Sequence, residues 1–148
     1  MAELRALHVQ GLVSRLGDRY YADAESIREA VDLRSSFNLV HLESMMKVDV
    51  FVAPDAPWQI EALGRSGRDT LDDGAGAREI CVASPEDIVL HKLRWYRMGG
   101  ETSERQWSDV AGVLRVQHGR LDLDYLRRWA TSLSVLDLLE RAIADSDR

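Results

Sequence analysis

In the stretch MMKVDVFVAP, Met45 to Pro54, Met46, Val48, Val50 and Val52 alternate with Lys47, Asp49 and Phe51. Alternation with period two, rich in β-branched residues, predicts a strand. SFNLVHL just before it has the same character. About four residues separate the two runs, so an antiparallel hairpin is expected. Nearer the start, Leu4, Leu7, Val9, Leu12, Val13 and Leu16 recur at helical spacing. They predict a helix over AELRALHVQGLVSRLG, ended by Gly17. RYYA reads as a short strand. Asp23 reads as the N-cap of a second short helix, DAESIREAVDL. The Pro- and Gly-bearing segment APDAPWQIEALGRSGRDTLDDGAGA reads as loop, with a short helix around Trp58 to Leu63 and a turn at DDGAG. REICVA is a further strand.

From Ser84 the period changes to that of helices. In SPEDIVLHKLRWYRMGG, Ser84 is the N-cap and Pro85 takes the first helical position. Glu86 and Asp87 favour the positive end of the dipole, and Gly99-Gly100 stops the helix. SERQWSDVAGVLRVQ follows, with Ser103 as cap and Trp107, Val110, Ala111 and Leu114 on one face. DLDYLRRWATSL and SVLDLLERAIAD predict two more helices. The expected class is α+β: an α/β part over residues 1–82, then a helical part over 83–148. The chain has 148 residues. Neither part alone offers much core, so the two are expected to pack as a single domain.

Charge narrows the function classes. Nineteen basic against 25 acidic residues give a formal charge of -6. That balance disfavours binding DNA through broad phosphate neutralisation, and no helix-turn-helix signature is present. Any nucleic-acid contact, such as one to an RNA end, would need a local basic patch. Cys81 is the lone cysteine. It permits no internal disulfide and no two-cysteine metal motif, and it is expected as a small buried hydrophobe. No apolar run is long enough for a membrane span, and the charged, amphipathic start is unlike a signal peptide, so the cytoplasm is the expected compartment.

Three residues stand out as candidate chemistry. Asp49 lies in mid-strand, where Asp is disfavoured. It is either a solvated edge position paired with Lys47 or a carboxylate presented from a rigid strand as a metal ligand or base. Lys92 has Ile88, Trp95 and Tyr96 as its helical neighbours. Its ammonium either snorkels to water from that apolar face or is aimed at a phosphate. Asp109 follows Arg105 by one helical turn, which suggests a simple ion pair between them. Lys92, Arg94, Arg97 and Arg105, with His91 close by, form a run of cationic groups. Such a run is either a solvated helix face or a nucleotide site. His8, His41, His91 and His118 show no metal-ligand spacing.

FNLVHLESMMKVDVFV and CVASPEDIVLHKLRWYRMGGETSERQWSDVAGVL together resemble the minimal nucleotidyltransferases, including the toxin components of AbiE-type toxin–antitoxin systems. The resemblance spans about residues 4 to 130 and is most specific over SPEDIVLHKLRWYRMGGETSERQWSDV. It implies a mixed sheet flanked by helices. It also implies a Mg²⁺ site whose third acid matches Asp49, and a nucleotide site whose helical Lys and later Asp match Lys92 and Asp109. From the cationic run beside them, Arg94 and Arg105 are expected as further nucleotide contacts. Two motifs of that family, a Gly-Ser pair and an Asp-x-Asp strand, have no counterpart here. The spacing Asp23-x-Glu25 falls at a helix start instead. Two-metal transfer needs carboxylates that bridge both ions.

The chain is therefore expected to begin one strand late in the family pattern. Two functions follow. One is a degenerate nucleotidyltransferase-like module that binds a nucleotide such as an NTP, or a protein partner. The other is an active Mg²⁺-dependent enzyme moving a nucleoside monophosphate to RNA or protein, if the natural chain is longer or a partner completes it. A missing interior strand would also expose a sheet edge, open to a protein partner or to self-association.

Overall fold

The computed structural model describes residues 2–70 and 78–146. The turn expected at DDGAG lies outside the described residues. The chain forms two compact units, Met1–Gln59 and Ile60–Arg148.

The first unit opens with a 3-10 turn at Ala6–His8 and helix α1, Val9–Leu16. The helix begins later than the apolar spacing suggests, because the backbone of Ala2 is engaged elsewhere. Its N–H donates to the Phe51 carbonyl at 2.8 Å, and its carbonyl accepts from Ala53 at 2.9 Å, forming a parallel bridge to Val52. Gly17 ends α1 at φ 54°, a left-handed conformation that costs glycine little. Strand β1 (Tyr20–Tyr21) leads to α2 (Ala24–Asp32), where the Asp23 carboxylate accepts the Ser26 N–H at 2.8 Å. Strands β2 (Ser36–His41) and β3 (Lys47–Phe51) form the expected antiparallel hairpin, with Asn38 opposite Asp49. The sheet order is β1-β2-β3. Its inner face supplies Phe37, Leu39 and Val52, which join Val9, Ile27, Ala30 and Val31 in one apolar cluster.

Helix α3, Pro57–Gly64, carries the chain onward. The second unit also holds an antiparallel pair, β4 (Gly67–Thr70) and β5 (Glu79–Val82). Residues 67–70 were expected as loop. GRDT carries no apolar alternation because all four of its residues are exposed, and the pairing to β5 defines the strand. The same openness corrects the expectation for Cys81, which is exposed on β5 rather than buried. Four helices complete the unit: α4 (Pro85–Met98), α5 (Glu104–Val116), α6 (Leu123–Ser132) and α7 (Leu136–Ser146). Their facing stripes bury Leu90, Leu93, Val110, Leu126, Leu138 and Leu139 almost completely. Burying each such side chain contributes about 1.5–3 kcal/mol.

The class is thus α+β. The described strands form two small antiparallel sheets and one parallel bridge, where a single mixed sheet was expected. Among the described residues, no helix is long and apolar enough to cross a membrane.

Candidate functional site

The site lies on the α4–α5 helix hairpin. Ser84 caps α4 by accepting the Asp87 N–H at 3.1 Å, and Ser103 caps α5 by accepting the Gln106 N–H at 3.4 Å. Between the helices, Gly100 and Glu101 take φ 70° and 61°, which reverses the chain. Lys92 and Asp109 lie about equally far from this reversal, so the antiparallel hairpin sets them level. The Lys92 ammonium donates to the Asp109 carboxylate at 2.7 Å. Nearer the reversal, the rings of Tyr96 and Trp107 lie 5.3 Å apart and form a second contact between the two helices.

The pair lines a groove of about 550 Å³ with Ile88, Gly112, Val113 and Val116. This size falls in the range of small-molecule sites. The Lys92 side chain is 23% exposed and that of Asp109 is 41%. The stem of Lys92 is covered while its charge reaches the groove. The hydrogen bond from Lys92 holds the Asp109 carboxyl below its ordinary value, with Arg105 adding a weaker through-space pull. The simple turn-to-turn pair expected between Arg105 and Asp109 is thus displaced: Asp109 takes its hydrogen bond from the neighbouring helix.

The other cations of α4 diverge from Lys92, because Arg94 and Arg97 share a side of the helix that Lys92 does not. Arg97 bonds Glu101 at 2.7 Å and also the Asp137 carboxylate, so it ties α4 to α7. Arg94 and Arg105 are not among the residues that line the groove. Burial pushes the His91 imidazole down to about 4, and Asp87 opposes that shift through its charge.

Asp49 belongs to the first unit. It lies on β3 with a side chain 54% exposed, and Lys47 reaches its carboxylate at 3.3 Å. Of the two accounts open in the sequence, this is the geometry of the solvated, Lys47-paired position. Among the described residues, no three His, Cys, Asp or Glu side chains are grouped to hold a metal ion.

A buried acidic network went unseen in the sequence. Asp87 is 1% exposed and Glu86 7%. Tyr125 donates its hydroxyl to Asp87 at 2.6 Å, and the Ser84 hydroxyl donates to the other carboxylate oxygen at 2.7 Å. Arg65 bonds Glu86 at 3.3 Å and stacks its guanidinium 3.9 Å from the centre of the Tyr125 ring. Burial favours the neutral form of Glu86, yet its carboxyl is held below the ordinary value by the Asp122 N–H and other donors. The local signal was two acids in a first turn, which helix dipole alone explains. Their partners lie far along the chain.

Comparison of the chain with protein-family models, curated proteins and solved structures found no match.

Proposed function

We propose that this chain is a nucleotidyltransferase-like module that binds a nucleotide in the α4–α5 groove without transferring it. The observation that carries the proposal is the Lys92–Asp109 pair, the charged groups of a groove lined otherwise mainly by apolar residues. The resemblance matched these two residues one by one, from different parts of its motif. They meet at hydrogen-bond distance. A phosphate would compete with Asp109 for the Lys92 ammonium, a compact charge suited to that role. Ile88, Val113 and Val116 offer an apolar wall on which a base can lie.

A binding role is chosen over catalysis for a chemical reason. Two-metal transfer requires bridging carboxylates. Asp49 is paired with Lys47, and no metal-binding group of side chains occurs among the described residues. Calorimetric titration with the four NTPs, with and without Mg²⁺, tests the proposal. Micromolar binding that weakens at least about tenfold in Lys92→Ala is expected, a loss of about 1.4 kcal/mol. Absence of binding to every NTP overturns it, as does binding that Lys92→Ala leaves unchanged.

A further inference from the structure

We propose that the open edge of β3 is a homodimer interface, in which two copies pair their β3 strands antiparallel in one register selected by Lys47 and Asp49. Val52 donates its N–H to Ser35, and His41 donates to the Met46 carbonyl, so the even-numbered residues of this strand bond toward β2. The N–H and C=O groups of Lys47 and Asp49 therefore point away from β2. No further strand of the described residues pairs with β3 on that side. Beyond them, the edge is closed by the Ala2 backbone, which takes the Phe51 carbonyl and the Ala53 N–H. What stays open is a short window centred on Val48. An unpaired window of this kind is a template for another strand.

Charge decides which strand fits. A second copy arriving antiparallel can set Lys47 opposite Asp49 and Asp49 opposite Lys47, with the two Val48 residues facing each other across the twofold axis. Lys47 and Asp49 are then the hydrogen-bonded pairs, and Val48 is the closer, non-hydrogen-bonded pair. This matches the direction of the free backbone groups. The neighbouring registers fail. A shift one way places Asp49 against Asp49, and a shift the other way places Lys47 against Lys47. Like charges directly opposite are destabilising. The first shift also draws on the part of the edge that Ala2 occupies.

The window is accessible, with Lys47 58% and Asp49 54% exposed in their side chains. Val48, Met45 and Met46 are also exposed. The twofold contact sets Val48 against its own image and Met46 opposite Val50 of the other copy, the self-complementary pattern of an isologous interface. The contact is small, so a weak dimer is expected, favoured at high concentration. It also accounts for a carboxylate in mid-strand with no recourse to metal.

Sedimentation velocity of the whole chain, over a series reaching roughly 1 mM, gives the test. The wild type should shift from monomer to dimer. Lys47→Glu sets acid against Asp49, and Asp49→Lys sets Lys against Lys47, so each variant should remain monomeric. Their equimolar mixture pairs opposite charges at every position and should dimerise again. That rescue separates lost pairing from lost folding, and far-ultraviolet circular dichroism checks each variant alone. In a Cys81→Ser background, Val48→Cys should form an intermolecular disulfide under mild oxidation. A monomeric wild type throughout overturns the proposal. So do a dimer that both charge variants leave intact, a mixture that stays monomeric, and failure of Val48→Cys to cross-link.

Discussion

Replacing Tyr125 by Phe removes one oxygen from the interior of the second unit and leaves the ring. The hydroxyl donates to Asp87 at 2.6 Å, and Asp87 is 1% exposed. Water cannot readily replace the lost donor there. A hydrogen bond to a charged group contributes about 1.5–3 kcal/mol, so the loss should be about 2 kcal/mol. For a chain of this length that corresponds to a fall of roughly 4–8 °C in Tm. The ring keeps its stacking with Arg65, so packing should change little. Asp87→Ala should cost more, about 2–5 kcal/mol, because it strands the hydroxyls of Tyr125 and Ser84 together, while Arg65 keeps Glu86 as its partner. Urea unfolding followed by tryptophan fluorescence measures both, and the double variant completes a cycle. Burial and the Asp87 hydrogen bond both push the Tyr125 phenol up, so the donor remains protonated across the working pH range. If Tyr125→Phe costs less than about 0.5 kcal/mol and Asp87→Ala no more, the network is not the support described here.

Two further outcomes concern pH. His91 is held neutral by burial, with its ring pushed down to about 4 from an ordinary 6.5. Below 6.5 the unfolded chain binds a proton that the folded chain refuses, so stability should fall between pH 6.5 and 4, by at most about 3 kcal/mol, and a His91→Gln variant should lose that slope in urea titrations. Asp109 is the opposite case. Its lowered carboxyl adds stability above the unfolded value, lost as pH falls through the folded one, and in Lys92→Met an NMR titration should find Asp109 moved up toward an ordinary carboxylate.

Helix starts were legible because capping is local chemistry. Asp23, Ser84 and Ser103 each accept an N–H three residues on, as their positions suggested. The hairpin was legible because period-two alternation belongs to a strand with one covered face. Resemblance singled out Lys92 and Asp109 but not their contact, which a short turn between two well-capped helices produces by setting those positions level. What stayed hidden depends on distant partners. Glu86 and Asp87 look like ordinary first-turn acids until Arg65 and Tyr125 arrive from elsewhere in the chain. Arg97 looks like a free surface cation until Asp137 meets it. Strand β4 was missed because its residues, exposed on both faces, carry no hydrophobic signature, and Cys81 was misplaced because the apolar run of β5 lies largely at the surface.

Arg65 also bears on where the chain can be divided. A cut just before Ser84 follows the change from strand to helix patterning and would release a fragment made of helices alone. Such a fragment would keep Glu86 and Asp87 at the start of α4 but leave behind the cation that bonds one and lies beside the other, as well as the guanidinium that covers the Tyr125 ring. The helices would then carry two acids with their compensating charge removed and an aromatic face laid open. The natural seam lies upstream of Arg65, in α3, so the stretch after that helix is the counter-ion of the bundle as much as its leader.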